Sequence, residues 1–343
     1  MINFRFSTFD FRFLWVPLIG VLFLNVGARP ATEGVNPDTE RPAVIVVVGA
    51  AGAPEYGAQF VKWARLWEQA CSKGGEKFTA IGLDEADNPD DLTRLQQTLA
   101  SESQQSAAAL WLVLIGHGTF DGRTAKFNLR GPDLAADDLA EWLKPAIRPL
   151  IVINTASSSA PFLSKLSAQK RVVVTATKSG FEQNYARFGE YLAGAIAEPQ
   201  ADLDKDGQTS LLEAFLSASA RTNEFYSTAG RLVTEHALLD DNGDGLGTRA
   251  DWFRGIRPVQ KAEDGAALDG YRAHQFHLVP SEAENKIPPR LRARRDQLEL
   301  EVVKLRDTKD NFSEDEYFAR LEKLLCDIAQ IYEQTDKTEH SLE

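Results

Sequence analysis

The sequence predicts an α/β protein, a three-layer sandwich on a mostly parallel sheet, and three observations predict it. Continuous apolar runs occur at Ala43 to Val48, Phe78 to Gly82, Ala109 to Gly116, Leu150 to Asn154 and Arg171 to Thr177. Such β-branched runs are the texture of strands buried on both faces. Helical spacing fills the intervals, at Tyr56 to Ser72 and near 90–101, 135–144, 159–167 and 184–197. Strands alternating with helices need crossover connections, and these make neighbouring strands parallel. The third observation is that two runs end in glycine-rich turns, Gly49-Ala50-Ala51-Gly52 and Gly116-His117-Gly118.

Composition narrows the function classes. Of 343 residues, 43% are hydrophobic and 26% charged, ordinary values for a globular chain that exclude wholesale disorder and fibrous repeats. Fifty acidic against 38 basic side chains give a net charge of −12, which argues against a nucleic-acid partner. Two cysteines, Cys71 and Cys326, cannot build a disulfide framework or a four-cysteine zinc site. Each sits in a helical pattern, so two buried thiols are expected rather than a bridge.

Residues 1–28 carry Arg5 and Arg12, an apolar run from Leu14 to Leu24, and the small-residue ending Val26-Gly27-Ala28. The run is shorter than the ~18–20 residues that span a bilayer, so it reads as a cleaved secretory signal. An uncleaved anchor is the rival reading. Cleavage would leave no stable membrane span and a secreted or periplasmic protein. The polar stretch 29–41, with Pro30 and Pro37, reads as a linker. The α/β domain is expected over 42–255, followed by an irregular connection at 256–287.

From Pro288 the pattern is helical again. Leu298, Val302 and Leu305 form one stripe; Tyr317, Leu321, Leu324, Ile328 and Ile331 form another. Ser313 to Glu316 has the form of a capping box. A helical hairpin at 288–335 follows, with 336–343 as a tail. It packs on the sandwich or makes a coiled coil with a partner.

Candidate chemistry begins at His117. In an open parallel sheet, ligands bind beyond the carboxyl ends of the strands, and His117 ends one strand while Thr155-Ala156-Ser157-Ser158-Ser159 follows the next. If the two strands are neighbours, His117 and residues 155–159 share a crevice. The bland reading is a tight glycine turn, with Ser159 as the N-cap of a helix.

The strand ending in His117-Gly118, the segment GHGTFDGRTAKFNLRGPDL and the ending Asn154-Thr155-Ala156-Ser157 resemble the caspase/legumain clan of cysteine peptidases. The legumain-like and GPI-transamidase-like branch is the nearest in pattern. The resemblance spans roughly 42–245 and implies a caspase-like sandwich. It assigns the catalytic base to His117 and places the nucleophilic cysteine at Ala156. Alanine has no nucleophilic atom, so the resemblance implies a degenerate site. Ser157 is the nearest hydroxyl and an alternative nucleophile for an active hydrolase.

Two acidic loops follow. Asp202, Asp204 and Asp206 stand at positions one, three and five of an EF-hand pattern, with Gly207 at the turn. Gln208 supplies the backbone carbonyl, Ser210 position nine and Glu213 the closing carboxylate. Calcium is the expected cofactor. Thr209 stands where a branched aliphatic residue is usual. The second loop repeats the spacing with Asp240, Asn242 and Asp244, and Asp251 stands at its closing position as a second candidate site. His274 and His277 are expected at the surface. These features imply an inactive peptidase homologue that binds calcium and acts as a binding or scaffold protein toward a peptide or protein partner. The alternatives are an active hydrolase using Ser157 and His117, and a calcium-dependent protein that engages its partner through the helical tail.

Overall fold

Side chains alternate across a strand, so a run such as AVIVVV must find apolar cover on both faces. In the computed structural model that cover is helical. The structure describes residues 41–85, 90–102, 106, 108–263 and 266–340, the last five by backbone alone. The expected signal segment 1–28 and all of the linker except Arg41 lie outside the described residues.

Strand β1 (Ala43–Val48) leads through α1 (Pro54–Gly74), β2 (Lys77–Ile81) and α2 (Asp91–Ser101) to β3 (Leu110–Ile115). A small antiparallel sheet then interrupts the alternation: β4 (Gly118–Phe120), β5 (Ala125–Phe127) and β6 (Leu134–Ala135). The sequence reading did not resolve these short strands. The alternation resumes with α3 (Ala136–Leu143), β7 (Leu150–Asn154), α4 (Ala160–Leu166), β8 (Arg171–Thr175), α5 (Phe188–Ala195) and α6 (Leu211–Thr228). Then come β9 (Leu238–Asp240), β10 (Thr248–Arg249), β11 (Phe253–Arg254) and β12 (Arg257–Pro258), the last of them within the connection 256–287 expected to be irregular. The chain ends in α7 (Glu282–Lys286), α8 (Pro289–Asp307) and α9 (Glu314–His340).

The main sheet has the order β10-β9-β8-β7-β3-β1-β2. Strands β2, β1, β3, β7 and β8 pair in parallel, and β9 and β10 add an antiparallel edge. One face, with Val44, Val46, Trp111 and Val113, packs against Phe60, Trp63 and Trp67 of α1 and against α5 and α6. The other, with Ile45, Val47, Leu112 and Leu114, packs against Leu95 of α2, Leu139 of α3 and Phe162 of α4. This is the expected three-layer sandwich. Each fully buried large side chain contributes about 1.5–3 kcal/mol over its exposed state, so the three buried tryptophans weigh heavily on the first face.

The tail is a hairpin that packs on its own chain. Leu298 and Ile331 meet with Ile287 in a small apolar core. Arg295 holds Glu284 through two bonds of 2.6 and 2.9 Å, and Gln275 donates to the Asp296 carbonyl at 2.9 Å. The Ser313 hydroxyl accepts the Glu316 amide at 3.3 Å, as the capping pattern expects. Both cysteines are unbonded; Cys71 is buried, but Cys326 is exposed, contrary to the expectation of two buried thiols. Cys326 lies on the face of α9 turned away from Ile331. Among the described residues, no helix is long and apolar enough to cross a membrane.

Candidate functional site

Strands β3 and β7 are hydrogen-bonded neighbours, with Leu114 opposite Asn154. The chain therefore leaves the sheet at two adjacent points, and the two exits are bonded to each other. The amide and hydroxyl of Thr155 both donate to the Leu114 carbonyl, at 3.0 and 2.9 Å. Asn154 closes the turn by accepting the Ala156 amide on Oδ1 at 3.1 Å. Gly118 is required at this junction, because a Cβ there would lie 2.2 Å from the Ser157 carbonyl oxygen.

The structure brings His117 and residues 155–159 into one crevice, with these particular contacts. Ala156 is fully buried, with only a methyl group at the position where the sequence resemblance expects a nucleophile. The Ser157 hydroxyl is engaged with Gly118, donating to its carbonyl at 3.1 Å and accepting its amide at 3.3 Å. Ser158 takes the left-handed conformation with φ 55°, a strained state for a residue with a Cβ, and its amide donates to the Glu182 carbonyl at 2.8 Å. Ser159 precedes α4, but its hydroxyl does not cap that helix. It accepts the Ala176 and Thr177 amides at 3.0 and 3.2 Å, and Thr177 Oγ1 accepts the Ala160 amide instead.

His117 Nε2 lies 3.2 Å from the Ala51 carbonyl oxygen. A carbonyl only accepts, so this nitrogen carries the proton, and in the neutral ring Nδ1 is the basic atom. The ring sits among aromatic neighbours, with centroids 5.0 Å from Tyr56, 5.2 Å from Phe60 and 6.1 Å from Tyr185. Tyr185 donates to Gln59 Oε1 at 2.6 Å, and burial raises its phenol pKa. Arg187 stacks over Phe225 at 4.1 Å and Tyr185 at 5.5 Å. A cavity of about 530 Å³ opens beside this cluster, lined by Tyr56, Tyr185, Arg187 and Phe225. The sequence reading found His117 but missed this cage. Tyr185 lies far along the chain, at the start of the stretch 184–197 whose spacing predicts a helix, but the helix begins only at Phe188 and leaves Tyr185 in the loop before it; Phe60 is legible only as a core position of its helix.

The first acidic loop lies between α5 and α6. Asp202 accepts the amides of Lys205 (2.6 Å) and Gly207 (3.1 Å), Asp204 that of Asp206 (3.2 Å), and Asp206 that of Gln208 (3.0 Å). Glu213 is fully buried at the start of α6. Its Oε1 accepts the amides of Leu203 and Asp204 at 2.7 and 3.2 Å, and its Oε2 accepts from the Ser210 amide and hydroxyl, both at 2.8 Å. One oxygen from each of Asp202, Asp204 and Asp206 lies within 4.8 Å of the others. Thr209 is buried and donates to the Glu198 carbonyl at 3.0 Å. The loop pairs with segment 276–277, through a Ser210–His277 bridge and a Leu211 amide to Phe276 carbonyl bond.

The two histidines expected at the surface are half-buried against this loop. His274 Nε2 lies 3.0 Å from Asp204 Oδ2, and burial pushes the His277 pKa down to about 4. His274, Asp204 and Glu213 also form a cluster with one ligand atom each within 4.8 Å.

The second loop repeats the first bond for bond. Asp240 accepts the amides of Gly243 (3.0 Å) and Gly245 (3.1 Å), Asn242 that of Asp244 (2.8 Å), and Asp244 that of Leu246 (2.8 Å). The closing residue differs from the one expected. Asp251 is exposed and paired with Arg249 at 2.7 Å, because the chain after Thr248 turns into a short 3-10 segment instead of a helix. Its role falls to Asp269. Asp269 Oδ1 accepts the Asp241 and Asn242 amides at 3.0 and 3.2 Å, and Oδ2 accepts the Thr248 hydroxyl at 2.5 Å. These are the loop positions that Glu213 serves in the first loop. Burial, then the neighbouring Asp241 charge, pushes the Asp269 pKa up to about 8. No local spacing announces Asp269, which lies 269 − 240 = 29 residues after the loop begins.

No family model matches the chain, and no curated protein matches it in sequence. Among solved structures, the chain is similar to the Drosophila initiator caspase Dronc, with a TM-score of 0.41 and 15% identity over 62% of this chain and 84% of that one. It is also similar to caspase-1 from Spodoptera frugiperda, with a TM-score of 0.38 and 9% identity over 59% of this chain and 87% of that one.

Proposed function

We propose that this protein is a calcium-binding, catalytically inactive homologue of the caspase/legumain clan, working outside the cytoplasm as a binding or scaffold protein. The observation that carries the reading is Ala156, a buried methyl group where that clan's mechanism needs a thiolate, one strand over from His117. Ser157 is a poor replacement, since attack would require its hydroxyl to leave both Gly118 bonds. The crevice keeps an aromatic-lined cavity beside His117, suited to holding a peptide rather than cleaving it.

The calcium reading rests on donor chemistry. Hard divalent cations take six to eight oxygens, and the first loop offers Asp202, Asp204, Asp206, Ser210, the Gln208 carbonyl and Glu213. The second offers Asp240, Asn242, Asp244, the Leu246 carbonyl and, in place of Asp251, Asp269. When bound, the cation would neutralise these crowded carboxylates and stiffen the loops that carry them. The arginines, apolar run and small-residue ending of segment 1–28 support secretion.

The test is cleavage of a diverse fluorogenic peptide library, with calcium and with chelator, beside His117→Ala and Ser157→Ala. No turnover in any arm is the expected result. Turnover lost in both variants would instead establish a serine hydrolase.

A second reading, partner binding through the tail, is favoured by one observation. Phe318, Leu325 and Tyr332 recur every seven residues on α9 and are 51%, 47% and 44% exposed. Removing 288–343 and measuring partner capture separates it from the crevice reading.

A further inference from the structure

A trough runs along the junction between α8 and the segment 256–275, away from the His117 crevice and beyond the function proposed above. One part, about 550 Å³, is lined by Ile256, Leu268, Tyr271 and Val303. An adjoining part, about 380 Å³, shares Tyr271, His274, Val303 and Arg306 with it and extends over Leu300 to Leu325 and Ile328. The shared walls join the two parts into one channel, its floor apolar over Leu300, Val303, Leu325 and Ile328 and its first part mixed, with Arg257, Arg306 and Asp307 among the lining groups.

Its rim is basic, in a chain whose net charge is −12. Strands β11 and β12 form a tight hairpin with Gly255 at φ 57°, and Arg254 stands directly opposite Arg257 across the ladder. Like charges in that position destabilise a hairpin, and a surface with spare carboxylates could have relieved them. Arg257 and Arg306 both line the trough, and both act electrostatically on Tyr271. All three arginines are exposed, and none has an ion pair among the described residues. The carboxylates beside them are engaged elsewhere: Asp307 with Lys261 at 2.9 Å, and Glu299 with Arg295 at 3.7 Å and Gln275 at 3.0 Å.

An apolar floor beneath unpaired guanidinium groups suits a ligand that is both apolar and anionic. Phosphate alone would leave the floor empty, and the elongated shape matches several residues of chain. We infer that this trough docks a short peptide segment of a partner protein, with aliphatic or aromatic side chains in the channel and Asp or Glu side chains on Arg257 and Arg306. Arginine's planar fork makes paired hydrogen bonds to such carboxylates.

The test selects peptides from a random twelve-residue display library on the purified full chain. The selected peptide is then synthesised with a fluorescein label and titrated by anisotropy. Selected sequences should combine acidic with aliphatic or aromatic residues, and Arg257→Glu with Arg306→Glu should weaken binding at least tenfold. Both arginines are exposed and unpaired, and Arg257→Glu puts opposite charges across the hairpin, so the melting temperature should not fall as binding is lost. Selected peptides without acidic residues, or equal affinity for the double variant, would overturn the inference. So would displacement of the peptide by phosphatidylserine vesicles or inorganic phosphate at concentrations that leave salt-matched controls unaffected. Binding lost in His117→Ala but kept in the arginine variant would overturn it too, while supporting the crevice reading.

Discussion

The two acidic loops have the same internal hydrogen-bond diagram and close it in different ways. In the first, the closing carboxylate comes from the next turn of chain: Ser210 and Glu213 form the capping box that starts α6, so loop and helix are made by the same residues. In the second, the chain passes from Thr248 into a 3-10 turn, and Asp269 enters from a distant segment to bond the same positions. What the loop requires is a carboxylate at one place in space. A twelve-residue pattern describes only the case in which the following helix supplies it.

The comparison breaks most decisively at Glu213. Its carboxylate is fully buried and accepts four bonds, and Glu213→Gln turns one acceptor into a donor facing other donors. Leaving buried partners unsatisfied costs about 1–3 kcal/mol, more for charged groups. Urea unfolding in chelator should show that loss, and the calcium-induced rise in melting temperature from the first loop should vanish. A variant that keeps the wild-type calcium response would remove the first loop from the proposal. Asp269→Asn is the matching change in the second loop. Titration calorimetry should then count one calcium against an expected two for the wild-type chain, with the first site intact. A wild-type stoichiometry of one would leave the second loop a structural turn.

Smaller effects test whether position nine is equivalent in the two loops. Ser210→Ala removes a bond to Glu213 and the cap of α6, and a lost cap alone costs about 0.5–2 kcal/mol. Thr248→Val removes only the bond to Asp269, a bond to a charged acceptor worth about 1.5–3 kcal/mol when that carboxylate is ionised. Burial and the neighbouring Asp241 charge raise the Asp269 pKa and so disfavour its charged form, and the Thr248 loss should fall toward the low end of that range, below the Ser210 loss. Unfolding free energies of both variants in chelator give the order.

These differences mark what the sequence could reveal. Runs such as Ala43–Val48 and Leu150–Asn154 are legible because burial on both faces needs uninterrupted apolar residues, and their strands fall where the pattern puts them. His117 and Ala156 are legible because each lies a fixed short distance beyond a strand end. The strands β4 to β6 are two or three residues long, too short for a period to register. Tyr185 and Asp269 act across the fold from loop positions distant in sequence, so only topology brings them to His117 and the second loop. The half-burial of His274 and His277 has the same origin, since segment 273–277 is covered by the first loop and α8.

The smallest expected effect is the sharpest check on where the second loop closes. Asp251 holds the twelfth position of the pattern, but its side chain is 58% exposed and pairs with an Arg249 that is 40% exposed. Exposed pairs of this kind contribute about 0–1 kcal/mol and weaken with salt. Asp251→Asn should therefore shift stability by no more than about 0.5 kcal/mol and leave the calcium stoichiometry and affinities unchanged. Asp269→Asn, at a residue outside the twelve, should remove a site. If Asp251→Asn removes the site and Asp269→Asn spares it, the cation draws the loop into the arrangement that linear spacing implies. In that case the bonds Asp269 makes to Asp241, Asn242 and Thr248 belong to the calcium-free protein alone.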